Sequence, residues 1–401
     1  MGRGRDEEKK VLYHLRTPGT GAEGVHTRGI VNGFRKNGYH VDFLWISGEG
    51  DPTERAGANP YSAGEKRSLV EKIAALVPAF LFAFLEFCYN FWALIKITGA
   101  VRKTDYEFIY ERHFFFSFAS GLIAKKYDIP LVLEVNELCG FERVRKNYFQ
   151  SLARRCEKYI FKRADVISVV SKFLRDTILE RYPEVNAEKI HVIPNGVEES
   201  FFSRKMEGER IREKFGLKGK KVFGFVGFLV PVSSWHSLDW FLPVFIESVA
   251  DHTESVIMFV GGGPGRESLE RIGREKDFEG RMIFAGHVPN EKIAHYIDAM
   301  DIGIIPHSNR YRSPIKMFEY AAAGKPLLAP GREPIEQVVG EIQKEYLFRP
   351  GSESSLSDTI SLILNDRENW KEKGSRLRNR IRESYTYDRH GRRILEILNK
   401  S

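Results

Sequence analysis

What most constrains this chain is a rhythm of short apolar runs separated by helix-length stretches, and the rhythm occurs twice. The first series comprises residues 11–15 (VLYHL), 39–47 (YHVDFLWIS), 108–112 (FIYER), 130–135 (PLVLEV), 165–171 (DVISVVS) and 189–195 (KIHVIPN). The second comprises 221–227 (KVFGFVG), 255–263 (SVIMFVGGG), 281–286 (RMIFAG), 301–306 (DIGIIP) and 325–330 (KPLLAP). Short strands with room for a helix between each pair imply parallel βαβ units. The expected fold is α/β with two Rossmann-like domains. Residues 1–205 form the first and 206–383 the second, and a charged helix at 384–401 packs back on the first. Ligands of such sheets sit at the carboxyl ends of the strands.

Composition narrows the function classes. The chain has 401 residues, enough for two or three cores. Sixty-two basic against 54 acidic residues give a net charge of +8. That is modest for the size and suits anionic ligands or surfaces better than nucleic acid, which is not expected as a partner. Cys88, Cys139 and Cys156 show no CxxC spacing, which fits a reducing compartment and argues against structural zinc. The start MGRGRDEEKK runs into a strand without an apolar leader, so a cytoplasmic location is expected.

Two segments stand apart from a routine α/β unit. Residues 73–95 carry Glu86 and Asn90 as their two strongly polar residues and are long enough to span a bilayer. Yet a charge near mid-span costs about 2.5–3.5 kcal/mol on insertion scales, and a span would cut the first sheet in two. A buried or interface helix and a helix lying in a membrane surface are the two readings left. Residues 141–163 hold eight basic and two acidic residues. They read either as a solvated helix face or as a surface attracted to anionic headgroups. Together the two segments raise the expectation of peripheral contact with the inner face of a membrane.

Three loops bear on chemistry. Gly19, Gly21 and Gly24 follow the first strand with GxGxxG spacing. The acid expected to bind a ribose would be Asp42, which falls inside the second strand, so the dinucleotide reading is weak. Bare backbone near an anion at a helix N-terminus, or a tight turn, both suit this loop. The run 261–265 (GGGPG), with Gly262 at its centre, likewise suits a close ligand or a sharp turn. The stretch 307–326, HSNRYRSPIKMFEYAAAGKP, says most. Ser313 is a candidate cap, Pro314 suits the first turn, and Gly324 ends the helix before Pro326. The amides of Ile315 and Lys316, with Arg310, Arg312 and Lys316 around them, make a diphosphate site. Glu319, one turn further on, can accept hydrogen bonds from a ribose.

The run SPIKMFEYAAAGKP resembles the donor-binding signature of retaining glycosyltransferases of the GT-B fold, above all glycosyltransferase family 4. GTGAEGVHTRGIVNGFRKNGYHV, DVISVVSKFLRD, HVIPNGVE, VGGGPGRESLE and IFAGHVPNEKIAHYIDAMDIGIIP resemble further pieces of that family in the same order. The resemblance implies two domains facing each other across a cleft, and a nucleotide-sugar donor held by the second. Glu319 would meet the ribose, Ile315 and Lys316 the diphosphate, and His287 and Val288 the base. Asn195 and Gly196 would line the hinge side. The acceptor, a glycan, a lipid-linked sugar or a small molecule, would enter from the first domain. No cofactor and no divalent metal are implied, because helix amides and cations stabilise the departing diphosphate.

Departures from the family pattern matter too. The first of its paired glutamates is replaced by Tyr311. Phe228 follows Gly227, and Trp235-His236-Ser237 stands where Lys-Gly is usual, resembling a variant branch in which His236 faces the phosphate. Asn136, flanked by Glu134 and Glu137, replaces a histidine, so Glu134 or Asn136 is expected near the reacting sugar. His113 is either structural or turned to the cleft. An inactive partner with the same fold is the rival reading. A nicotinamide oxidoreductase leaves the SPIK…E cluster unexplained, and a lipid- or nucleic-acid-binding module leaves two complete α/β halves unexplained.

Overall fold

The computed structural model describes residues 8–16, 21–46, 50–55, 77–141, 148–230 and 236–400, and divides into two compact units. Unit 1 comprises Met1–Pro194 with Asp388–Ser401. Its strands are β1 Lys9–His14, β2 Tyr39–Leu44, β3 Phe108–Arg112, β4 Leu131–Val135, β5 Val166–Val169 and β6 Ile190–Val192. They form one parallel sheet in the order β2-β1-β3-β4-β5-β6. Its helices are α1 Gly21–Lys36, α2 Ala79–Val101, α3 Ala119–Tyr127, α4 Gln150–Arg163 and α5 Lys172–Arg181.

Unit 2 is Asn195–Tyr387. Strands β7 Lys221–Val226, β8 Ser255–Val260, β9 Met282–Gly286, β10 Ile302–Ile304, β11 Leu327–Pro330 and β12 Leu347–Phe348 form a second sheet. Its order is β12-β11-β10-β7-β8-β9, again all parallel. Around it lie α6 Ser200–Ser203, α7 Gly208–Lys214, α8 Leu238–Ser248, α9 Arg266–Glu275, α10 Asn290–Asp298, α11 Ile315–Ala322, α12 Glu333–Val339, α13 Glu353–Asn365 and α14 Trp370–Ser384. The last helix is α15, Tyr387–Leu398. Every run of the two series named above overlaps a strand. The two-residue β12 escaped because it is too short to show a period.

Each strand order reverses once, between β1 and β3 in unit 1 and between β7 and β10 in unit 2. Crevices at such reversals, at the carboxyl ends of the strands, are where open α/β sheets bind ligands. Strands β4, β7 and β8 are buried along their whole length. A charged residue there, such as Glu134, must therefore find its partners inside the protein.

The unit boundaries differ from 205/206 and 383/384. Residues 195–205 are held by unit 2: Val197 N–H donates to Tyr385 O (3.0 Å), Tyr387 N–H donates to Val197 O (3.1 Å), and Phe201 is buried in the unit 2 core. A side chain on Gly196 would lie 2.6 Å from the Tyr385 carbonyl oxygen, so only glycine permits this pairing. Residues 388–400 pack on α1, where Gly391 comes so close that a Cβ would sit 2.9 Å from Gly33 backbone. Lys36 pairs there with Asp388 at 2.7 Å.

Helix α2 begins at Ala79, six residues later than the apolar run, whose residues 73–76 lie outside the described part. Its buried residues are Ala83, Glu86, Tyr89, Asn90, Ala93, Ile97 and Val101. This stripe at three- and four-residue spacing is built of small or polar side chains.

Candidate active site

In unit 2 the site grows from the ends of β7 and β10. Gly227 follows β7 with φ +152°, and a Cβ on it would lie 3.0 Å from Lys316 Nζ. The missing side chain is what lets the lysine reach the strand end. Its ammonium rests 4.1 Å from the centroid of the Phe225 ring, and the His236 ring packs edge-on against the same phenylalanine at 5.1 Å. Burial pushes the Lys316 ammonium down to about 7, while Glu319 acts in the opposite direction. A desolvated cation of this kind gains most from an anionic partner.

Helix α11 starts at Ile315, after Pro314 (φ −67°, ψ 122°), and has no side-chain cap. The expected capping role of Ser313 is corrected by its hydrogen bonds. Its hydroxyl accepts from the Asn195 backbone N–H (3.3 Å), and its carbonyl accepts from Asn195 Nδ2 (2.7 Å). Asn195 thus diverts Ser313 from the helix end, where the first amides of a helix attract anions. From below, Tyr320 secures the helix by accepting the Val226 N–H at 2.8 Å. Gly324 follows the helix with φ +73° and ends it as the sequence implies.

The glycines after β8 divide into two kinds. A Cβ on Gly261 would lie 2.0 Å from Gly227 O, and one on Gly263 2.1 Å from Leu229 O, so both serve the close pairing of two strand-end loops. Gly262 has nothing within 4 Å and alone leaves space for a ligand. His287 is exposed and Val288 buried at the end of β9. Arg310 is exposed, and Arg312 lies 5.6 Å from the Tyr311 ring it follows. Sequence reasoning missed Arg332, after β11. Burial lowers its guanidinium, and the charge of Arg310 lowers it further. Trp235 and Gly19 lie outside the described residues.

In unit 1, Glu134 is 1% exposed. It accepts from His26 Nε2 (2.7 Å), Tyr110 Oη (2.9 Å), Arg112 Nη1 (3.1 Å) and Asn136 Nδ2. Burial would raise its carboxyl group, but His26 and Arg112 hold it well below the usual range. Arg112 is pushed down by burial and raised above its ordinary value by Glu134. His390, whose ring lies 6.5 Å from that of His26, is driven down to about 4 by burial, with His26 adding to the effect. Glu134 is therefore the hub that orients Arg112 and Asn136, both partly exposed at the strand ends. Gly21 opens α1 with φ +60°, in the left-handed region.

His113 does not join this hub. Its Nε2 lies 3.5 Å from Glu157 Oε1, a carboxylate that also accepts from Tyr182 Oη at 2.7 Å. That is a structural setting. A second buried network, unforeseen in the sequence, surrounds His14 at the end of β1. Nδ1 lies 2.8 Å from both Glu111 and Ser120, and Nε2 3.1 Å from Tyr89 Oη on α2. Asp42 accepts from Tyr106 Oη at 2.9 Å and is thus engaged within the sheet.

Comparison with known proteins agrees with this architecture. The family model described as Glycosyltransferase Family 4 matches residues 23–201, and that described as Glycosyl transferases group 1 matches residues 220–366. A 2-deoxystreptamine glucosyltransferase of Streptomyces kanamyceticus is 27% identical over 220 residues, 54% of this chain and 55% of that protein. The match thus spans little more than half of that relative. An uncharacterised glycosyltransferase of Methanocaldococcus jannaschii is 24% identical over 324 residues, 78% of this chain and 79% of that one. Among solved structures, the Anabaena protein HepE in complex with UDP superposes with a TM-score of 0.69 at 14% identity, covering 98% of this chain and 100% of that one. Its complex with UDP-glucose gives 0.68 at 15%, with the same coverage. The chain belongs to the family 4 glycosyltransferases and has the GT-B fold.

Proposed function

We propose that the protein transfers a sugar, with retention of configuration, from a nucleoside-diphosphate donor held by unit 2 to a hydroxyl acceptor. The observation that carries this reading is the desolvated Lys316 beside the uncapped start of α11, with Glu319 one turn on. The diphosphate is bound by the amides of Ile315 and Lys316 and by the cations of Lys316 and Arg312, with His236 as a further donor. Glu319 accepts from the ribose, and His287 and Val288 border the base. The UDP and UDP-glucose complexes of the Anabaena protein support a donor of this class.

The sugar–phosphate bond breaks as the acceptor oxygen attacks from the same face, and the departing phosphate oxygen takes the acceptor's proton. This chain's contribution is positioning and charge stabilisation, which fixed amides and cations supply without a divalent metal. Arg112 and Asn136, held by Glu134, act on the sugar side, and the acceptor is lipid-linked or part of an envelope glycan. A panel of UDP-, GDP-, ADP- and TDP-sugars, read by release of nucleoside diphosphate with and without chelator, tests the proposal. Turnover with one base, unchanged by chelator and lost in Lys316→Ala, is expected. Tight donor binding with no turnover on any acceptor would identify a catalytically inactive partner instead.

A further inference from the structure

Helix α2 is amphipathic the wrong way round for a helix of a water-soluble unit. Its polar residues point inward. Glu86 pairs with Arg16, Tyr89 meets His14, and Asn90 donates to the Phe116 carbonyl (3.0 Å) while accepting the backbone N–H of Phe118 (2.9 Å) and Ala119 (3.2 Å). On the opposite side Phe80, Leu81, Phe84, Leu85, Phe91 and Ile95 face solvent, with Phe84 52% and Ile95 74% exposed. At 1.5 Å per residue this stripe runs for about 22 Å. It continues sideways into Tyr148, whose ring lies 6.5 Å from that of Phe80, into exposed Phe149 at the start of α4, and into exposed Leu122 on α3.

Charge tells what covers it. Helix α4 shares a core cluster with α2 through Ala83, Ala153 and Cys156, and its outer face carries exposed Arg154, Arg155, Lys158, Lys162 and Arg163. The single acid of α4, Glu157, is buried. Exposed Lys125 and Lys126 end α3, and exposed Lys96 lies 5.9 Å from the Trp92 ring on α2. Large apolar side chains bordered by bases and by Trp and Tyr rings match the boundary between acyl chains and anionic headgroups. The polar ties of the inner face also decide between lying on a bilayer and crossing it, since a crossing would break all of them at once.

We propose that α2 lies in the surface of an anionic membrane with its outer face immersed, docking unit 1 there through α2 and α4. The same helix is tied through Tyr89–His14 and Glu86–Arg16 to the carboxyl end of β1, the strand next to the sheet reversal. Resting on the function proposed above, this places the acceptor edge of unit 1 where lipid-linked sugars reside.

The test is flotation of the full chain with vesicles of phosphatidylcholine alone or mixed equally with phosphatidylglycerol. Nucleotide binding and sedimentation are measured on the same samples. The wild type floats with mixed vesicles at least about tenfold better than with neutral ones, each well-placed base contributing roughly fivefold. Phe84→Glu with Phe91→Glu cuts flotation at least about tenfold, and Arg154→Glu with Arg155→Glu removes the preference for phosphatidylglycerol. Flotation equal to wild type in the first pair overturns the proposal. So does a wild type that ignores both vesicles, whether monomeric or a dimer that the first pair dissociates. Nucleotide binding retained in these variants shows that the fold and the donor site stand, so failure at the membrane is separable from failure of the transferase reading.

Discussion

The side-chain amide of Asn195 donates to the carbonyl of Ser313 across 2.7 Å, while the Ser313 hydroxyl accepts the Asn195 N–H. The pair fixes where α11 begins and keeps the nearest hydroxyl off its first amides. Asn195→Ala removes one buried hydrogen bond, a loss of about 0.5–1.5 kcal/mol. The backbone N–H of residue 195 still donates to the Ser313 hydroxyl, so the variant loosens the start of α11 through the Ser313 carbonyl alone. The expected result is a modest loss in urea stability together with a nucleoside-diphosphate affinity lowered by more than that loss explains.

Protonation of Lys316 couples donor binding to pH. A diphosphate favours the charged ammonium, so binding raises its pKa and takes up a proton. With the free enzyme near 7, affinity is greatest below that value and falls as pH climbs above it, up to tenfold per unit until the bound form also titrates. Calorimetric titrations between pH 6 and 9 check this, and Lys316→Met flattens the profile.

The neighbouring glycines after β8 make a paired test. Gly261→Ala drives a methyl into the Gly227 carbonyl at a backbone angle side chains rarely adopt, and costs about 1–3 kcal/mol or more. Gly262→Ala meets nothing and leaves the free energy of unfolding within about 0.5 kcal/mol of wild type. If Gly262 gives a ligand room, the second variant binds donor more weakly while remaining as stable as the parent.

Buried His390 is neutral in the folded protein and titrates near 4, against about 6.5 when unfolded. Below pH 6.5 the unfolded chain therefore holds the extra proton, and stability falls as pH drops from 6.5 towards 4. The slope approaches about 1.4 kcal/mol per unit for one such group. Denaturant curves of wild type and His390→Asn across that range are expected to diverge in slope, with the variant the flatter.

The strand rhythm made both sheets legible, because parallel strands each need a helix-length crossover and so recur at a readable spacing. The 315–322 helix was legible because its lysine, glutamate, proline and glycine lie within twelve residues. Its cap was misread for a physical reason. The hydrogen bonds that divert Ser313 come from Asn195, 118 residues away in sequence. The Glu134 hub was half visible. Asn136 is adjacent, but His26 and Arg112 reach it from α1 and β3, and no local spacing announces partners assembled by sheet pairing. His113 shows the converse, a histidine well placed in sequence whose ring is taken up by Glu157. The orientation of α2 was hidden in its composition, since an apolar run gives its length but not which side its few polar residues face.

Titrating UDP, GDP, ADP and TDP into wild type and Lys316→Ala at pH 6.5 decides whether the start of α11 and Lys316 hold a diphosphate. Saturable binding of one nucleotide, weakened about tenfold to a hundredfold in the variant as expected for a lost charge-assisted hydrogen bond, is the predicted result. Equal affinity in the two proteins, with the variant folded, would contradict it.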